Sequence, residues 1–146
     1  MSPDAEPRTR RRLYLDTSAY LCILLGDVGA VRLAKETTGA ELLSSVLLVL
    51  EARRNLIRLA REGTLTAAQY TTCMDRVEQD VDLFVLRDLT LELCLSNLVP
   101  AVATPRSLDL AHLRTALWFH AAERIDRFVT LDGSQAQAAR ELGLPV

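Results

Sequence analysis

The chain has 146 residues, of which 49% are hydrophobic and 25% are charged, and its formal net charge is -2. This length suits one domain with a sizeable core, and the composition excludes disordered and fibrous proteins. A protein of this charge does not attract polyanions over its whole surface, so any contact with nucleic acid has to be local.

The cysteines and the apolar runs indicate where the protein resides. Cys22, Cys73 and Cys94 are odd in number and show no metal-binding spacing, so we expect reduced thiols. The apolar runs, such as 46–50, are far shorter than a membrane-spanning helix. We therefore expect a cytoplasmic protein that does not enter a membrane.

The elements follow from hydrophobic periodicity, caps and breakers. Residues 1–12 contain prolines and alternating charges, which predicts a flexible leader before a single domain at 13–146. We predict strands at 13–15, 41–44, 82–86 and 127–131, with a short last strand at 144–146 if any. We predict helices at 19–25, 28–37, 46–62, 66–79, 88–98, 107–122 and 134–142, and a proline-bearing loop at 99–106. Strands that alternate with helices predict an α/β fold, a three-layer α/β/α sandwich with a mainly parallel central sheet.

Four acids have related positions in this pattern. Asp16 and Asp132 each follow an apolar strand, and Glu51 and Asp109 lie early in two long helices. Ligands collect at the carboxyl ends of parallel strands, so we expect the four carboxylates to converge there. Such a group needs a cation, and an all-oxygen ligand set selects Mg²⁺, with Mn²⁺ able to substitute. The expected chemistry is metal-assisted hydrolysis of a phosphodiester.

Simpler interpretations exist for the same residues. Asp16 and Asp132 could be helix caps only, and Glu51 could be a surface acid that pairs along its own helix with Arg54, Asn55 or Arg58. We expect a structural role for His112, because a metal site of this type generates its nucleophile without a histidine. Trp118 and His120 have no motif around them and are expected to serve packing or an interface.

Cations lie close to the acids in the sequence. Lys35 is the only lysine, and the basic residues are otherwise arginines. Four of them could line the acidic centre and contact an RNA backbone, although each could equally be a solvated surface residue: Arg53, Arg54, Arg106 and Arg114.

Four segments together resemble a known family. They are LDTSA at 15–19, SVLLVLEAR at 45–53, SLDLAHL at 107–113 and FVTLD at 128–132, and in this order they resemble the PIN-domain family, most of all its VapC-type toxins. The resemblance covers nearly all of the chain after residue 12. Its proline-bearing segment 99–106 departs somewhat from the family pattern.

The resemblance implies a Mg²⁺-dependent endoribonuclease whose catalytic and metal-binding acids are Asp16, Glu51, Asp109 and Asp132. It also implies supporting polar roles for Thr17, Ser18 and Thr130. It further implies a homodimer inhibited by a cognate antitoxin, for which residues 21–37 and 66–98 are candidate contact surfaces. Which RNA is cut, and whether one ion or two act, the sequence leaves open.

Two other classes compete with this interpretation. The chain could be a catalytically inactive PIN-like domain that binds RNA or regulates. An Asp-nucleophile phosphatase or receiver domain would also place an acid at a strand end, but it needs a second acid two residues later and a downstream lysine. Asp16 is followed by Thr17 and Ser18, and Lys35 is the sole lysine, so this class fits poorly.

Overall fold

The protein is built around a parallel sheet. The computed structural model describes residues 10–96, 100–103 and 106–146. In that part of the chain the sheet has four strands in the order β3-β2-β1-β4, and all neighbouring pairs are parallel. The strands are β1 Arg12–Leu15, β2 Glu41–Ser45, β3 Phe84–Arg87 and β4 Arg127–Val129.

Helices connect the strands, as parallel pairing requires. They are α1 Thr17–Leu25, α2 Ala30–Thr37, α3 Leu47–Arg61, α4 Ala67–Asp80, α5 Leu91–Leu95, α6 Ser107–Ala122 and α7 Gly133–Glu141, and a 3₁₀ turn at Val81–Leu83 precedes β3. Local signals set several ends: Gly26 ends α1 in the left-handed region at φ 68°, and Thr66 begins α4 with a capping box.

The side chains of the central strands alternate between two hydrophobic layers. Tyr14 and Phe128 pack on one face of the sheet with residues of α6 and α7. Leu13, Leu15 and Val129 pack on the other face with residues of α1 and α2. The predicted α/β/α sandwich with a parallel sheet is therefore confirmed.

A third apolar cluster joins α1, α3 and α4 beside the sheet. Its fully or nearly buried members are Tyr20, Leu48, Ala52, Leu56 and Val77. The Tyr20 hydroxyl donates to Asp80 Oδ2 over 2.9 Å, which gives the buried end of this phenol a partner. The cluster fixes α3, the helix that carries Glu51.

Several predicted boundaries are wrong, including the start of β3, which is Phe84 rather than residue 82, and the end of β4, which is Val129 rather than residue 131. The predicted leader is too long, because Arg12 belongs to β1 and its buried side chain pairs with Glu41 and Glu123. The helix predicted from residue 88 begins at Leu91, since the Thr90 hydroxyl caps it there by accepting from Leu93 N–H. Residues 144–146 form no strand and make one backbone bond to the sheet, from Phe128 N–H to the Pro145 carbonyl. Residues 1–9, 97–99 and 104–105 of the predicted leader, helix and loop lie outside the described residues.

No described helix is both long enough and apolar enough to cross a membrane by itself. Only α1 and α2 taken together reach that length, and the two are bent by 112° relative to each other.

Candidate active site

Asp16 occupies the end of the central strand β1, where the chain turns into α1. It is only 5% exposed, and its extended backbone makes it the N-cap of α1. Its Oδ1 accepts hydrogen bonds from Ser18 Oγ at 2.6 Å and Ala19 N at 3.2 Å, and its Oδ2 accepts from Thr130 Oγ1 at 2.5 Å. The residue is therefore a cap, as the simpler interpretation held, but it is also a buried carboxylate with donors on both oxygens.

The burial of Asp16 has an electrostatic cost. It raises the pKa of the carboxyl above its ordinary value of 3.8, while the hydrogen bonds from Ser18, Thr130 and Ala19 oppose the rise. A buried carboxylate is disfavoured in its charged form unless a cation or further donors compensate it. Asp16 is thus a place where an added positive charge would be stabilised.

Ser18 and Thr130 connect the ends of β1 and β4. While each hydroxyl donates to Asp16, Ser18 Oγ accepts from Leu131 N at 2.9 Å and Thr130 Oγ1 accepts from Asp132 N at 3.1 Å. The predicted polar residues beside the first and last acids therefore hold the two strand ends together.

Glu51 lies in a second hydrogen-bonded group with His112. Its Oε1 accepts from Thr17 Oγ1 at 2.9 Å and lies 2.8 Å from His112 Nε2. On the other side of the ring, Tyr14 Oη lies 2.8 Å from His112 Nδ1. A carboxylate only accepts, so Nε2 carries the proton and Nδ1 accepts from the tyrosine hydroxyl. The surface-pair interpretation of Glu51 is wrong, because its carboxylate turns inward to Thr17 and His112.

These contacts keep Glu51 charged. Burial raises the pKa of Glu51, but the hydrogen bond from His112, assisted by Thr17 and the charge of Arg54, lowers it below the ordinary value of 4.5. His112 is 2% exposed and its ring nitrogens are occupied by Tyr14 and Glu51, in agreement with the expected structural role.

Asp132 and Asp109 lie at the starts of α7 and α6. Asp132 Oδ1 accepts from the N–H groups of Ser134 and Gln135, and Asp109 Oδ2 accepts from Arg106 N–H. Gln135 joins the two helix starts, because its Nε2 donates to the Asp109 carbonyl over 3.0 Å. The start of α6, which follows no strand directly, is thereby held beside the start of α7.

The structure brings the four acids to one edge of the sheet but not into one tight group. Ser18 and Thr130 connect Asp16 with Asp132. Thr17 connects Glu51 with the start of α1, and Gln135 connects Asp109 with the start of α7. Within residues 10–96, 100–103 and 106–146, no three His, Cys, Asp or Glu side chains are arranged to hold a metal ion. That the four acids share an ion stays a prediction.

The chemistry of the residues nevertheless fits a hard cation. All four acids offer carboxylate oxygens. Gln135 is 2% exposed, and its Oε1 is a buried oxygen that finds no hydrogen-bond partner among the described residues. A buried polar atom of this kind normally has a partner, such as water or an ion. The unpaired amide oxygen of Gln135, whose Nε2 reaches the Asp109 carbonyl, and the buried carboxylate of Asp16 both favour a cation at this edge.

The predicted arginines have different environments. Arg53 and Arg54 are exposed on α3, and Arg106 is exposed at the start of α6. Arg114 instead donates to the Ser96 carbonyl and lines a separate cavity with Trp118. The first three are free to contact a polyanion, whereas Arg114 belongs to another surface.

Sequence reasoning missed the Tyr14–His112 pair and Gln135. A weak signal was present for the pair, since Tyr14 interrupts an otherwise aliphatic buried strand and His112 falls on the apolar stripe of α6 with Leu113 and Ala116. A buried polar side chain on such a stripe needs a partner, which indicates a contact without identifying it.

Comparisons with known proteins add no assignment. No protein-family model matches the chain, and no curated protein matches it significantly. The residues at this edge and the four motifs are therefore the basis for assigning a function.

Proposed function

We propose that the protein is a metal-dependent endoribonuclease of the PIN-domain type, a VapC-like toxin neutralised by a cognate antitoxin. The observation that carries the proposal is the buried carboxylate of Asp16 at the end of the central strand, with Glu51, Asp109 and Asp132 around the same edge. A capping aspartate is normally solvated, whereas this one is 5% exposed and its burial raises its pKa.

Four acids would bind the metal ion, and polar neighbours orient their carboxylates. Asp16, Glu51, Asp109 and Asp132 would hold Mg²⁺ or Mn²⁺. When bound, the ion lowers the pKa of water and neutralises the charge that develops on the scissile phosphate. Ser18 and Thr130 orient both oxygens of Asp16, and His112 and Thr17 keep Glu51 ionised and fixed. Exposed Arg53, Arg54 and Arg106 are placed to attract the RNA backbone.

RNA cleavage by the wild type and three variants tests the proposal. With Mg²⁺ or Mn²⁺ present, we expect Asp16→Asn and Asp109→Asn to lose most of the activity. Asp75→Asn, a change of the same kind at an exposed position on α4, should keep it. Equal cleavage by all four proteins, or no cleavage by the wild type freed of partners, contradicts the proposal.

A second candidate is an inactive PIN-like domain that binds RNA. Its support is the hydrogen bonding already present at Asp16 and Glu51, together with the lack of a three-acid group in the described part of the chain. Titration with Mn²⁺ separates the two candidates. An active site should bind Mn²⁺ and lose it in Asp16→Asn, while an inactive domain should bind RNA and no ion at this edge.

Self-association and antitoxin binding belong to the same proposal. The predicted contact surfaces carry exposed apolar side chains, with Val28 and Val31 at the start of α2 and Leu91 and Leu95 on α5. Exposed patches of apolar side chains favour contacts with other proteins. Sedimentation equilibrium should find a dimer, and Val31→Asp or Leu95→Asp should weaken the dimer or the antitoxin complex. Unchanged assembly in both variants contradicts this part.

A further inference from the structure

A cavity of about 200 Å³ lies between the end of β3, helix α5 and α6, apart from the four acids. Its apolar wall includes Leu93 and Leu117, and its polar groups are Arg87, Arg114 and Glu92. Trp118 completes the wall and is 44% exposed. The cavity therefore combines a ring surface, two guanidinium groups and one carboxylate.

Arg87 lines this cavity beside Trp118. Its guanidinium carbon lies 4.4 Å from the centroid of the Trp118 ring, a cation–π contact that holds the group in place. Its Nε is buried and finds no hydrogen-bond partner within the described residues. This nitrogen has almost no accessible surface, so a ligand in the cavity meets the guanidinium of Arg87 through its other atoms.

Arg114 adds a second source of donors. It donates one N–H to the Ser96 carbonyl, which fixes the side chain, and a guanidinium has five N–H groups in all. Two guanidinium groups and one carboxylate, that of Glu92, give this surface a net positive charge. The preferred ligand is consequently flat, rich in acceptors and attached to negative charge.

The size of the cavity narrows the choice. An engineered protein cavity of about 150 Å³ accepts benzene, so a volume of about 200 Å³ accommodates one aromatic ring with polar substituents. Single-stranded RNA offers bases that stack on aromatic and guanidinium planes and carry acceptors on their edges. A paired helix does not expose its bases in this way.

We propose that this cavity binds one unpaired nucleobase of RNA, with Trp118 and Arg87 as the stacking surface and Arg114 as the hydrogen-bond donor. The inference rests on the proposed function, because it makes the cavity a determinant of where RNA is cut. Arg87 ends β3 at the same sheet edge as Asp16, and Arg114 follows Asp109 by five residues, about 7.5 Å along α6. A base in the cavity thus belongs to a nucleotide near the scissile phosphate.

The only tryptophan of the chain provides the assay. In metal-free buffer, ribonucleoside 5′-monophosphates should quench the fluorescence of Trp118 in a saturable way, with one base preferred, while ribose 5-phosphate should not. Arg87→Gln, which removes a stacking plane, and Arg114→Gln, which removes a charged donor, should each weaken the binding about tenfold. Arg61→Gln, at an exposed arginine that ends α3, should bind as the wild type does.

Cleavage mapping supplies an independent readout. On an RNA of mixed sequence, the Arg87→Gln and Arg114→Gln proteins should cut at altered positions yet bind Mn²⁺ as the wild type does. Nucleotide binding without cleavage would leave the cavity assignment standing and remove the nuclease. Cleavage at unchanged positions, with no quenching by any nucleotide, would overturn the cavity assignment and leave the nuclease intact.

Two further measurements test whether charge alone, or a protein partner, explains the binding. Arg114→Lys keeps the charge and removes the fork of donors, so a variant that folds and still loses base preference supports hydrogen bonding over simple charge. Saturable quenching by a capped peptide with an aromatic and an acidic residue, in the absence of nucleotide quenching, would overturn the proposal and identify a protein-binding surface.

Discussion

The hydroxyl of Thr130 offers a quantitative test of the buried charge at Asp16. Thr130→Val keeps the shape of the side chain and removes the donor that lies 2.5 Å from Asp16 Oδ2. A hydrogen bond to a charged group contributes about 1.5–3 kcal/mol, so Thr130→Val should lower the free energy of unfolding by about that amount at pH 7.5. Thr130→Ser, which keeps the hydroxyl, should cost much less.

A double-mutant cycle isolates the part that depends on charge. In Asp16→Asn the partner is neutral and still able to cap α1, so Thr130→Val should cost only about 0.5–1.5 kcal/mol there. The expected coupling is about 1 kcal/mol or more, within the range for side chains in contact. Because burial raises the pKa of Asp16, the coupling should shrink as the pH falls through that raised value and the wild-type carboxyl becomes neutral.

Urea unfolding of the four proteins at several pH values measures this coupling. Additive effects of Asp16→Asn and Thr130→Val at pH 7.5, or equal losses for Thr130→Val and Thr130→Ser, would refute the assignment of a buried charged acceptor. Asp16→Asn by itself should stabilise the metal-free protein, since it removes a charge whose burial is unfavourable. A simple cap would show no such gain.

Other expectations follow from the same contacts. His112→Phe removes the partner of both Tyr14 and Glu51 and should cost roughly 2–4 kcal/mol in urea unfolding; by carbon NMR the pKa of Glu51 should also rise. The stability difference between wild type and Glu51→Gln should be fully present above pH 4.5 and disappear as the pH falls through the lowered pKa of Glu51. Gln135→Leu should weaken Mn²⁺ binding measured by calorimetry. Leu113→Ala, at a fully buried core position, should cost about 2–5 kcal/mol.

Matched variants make these expectations specific. Glu78→Gln, on the exposed face of α4, should show no such pH-dependent difference, and Leu50→Ala, at a position 67% exposed, should change stability little. An unchanged pKa of Glu51 in His112→Phe would mean that the histidine only fills space. Wild-type Mn²⁺ affinity in Gln135→Leu would show that the unpaired amide oxygen has no part in ion binding.

Local patterns in the sequence were enough to predict the layers and the acid at the central strand end. Leu13 and Leu15 alternate with Tyr14, and Asp16 follows with a residue type that caps helices, so strand, turn and helix are all encoded within a few positions. Likewise, Thr66 is a residue type that caps helices, and it begins α4 with a capping box.

Contacts between distant segments could not be predicted in this way. Tyr14 and His112 are 98 residues apart, and Gln135 reaches Asp109 across 26 residues, so neither bond leaves a periodic signal. The prolines and alternating charges of residues 1–12 predict a leader that includes Arg12, yet the partners of Arg12, Glu41 and Glu123, become its neighbours only when the sheet forms. Whether four acids converge loosely or tightly is likewise decided by side-chain rotamers that one sequence does not reveal.

Because Arg12 is fixed in the sheet by its ion pairs, its end of β1 is a defined place at which the protein can be attached to a surface. Arg12 begins β1 at one end of the sheet and Asp16 follows its other end, about 13 Å away along an extended strand. An affinity tag or a surface tether attached upstream of Arg10 therefore joins the domain at the rim opposite the carboxylates. Immobilised in that orientation, the protein would present its acidic rim to a solution of RNA.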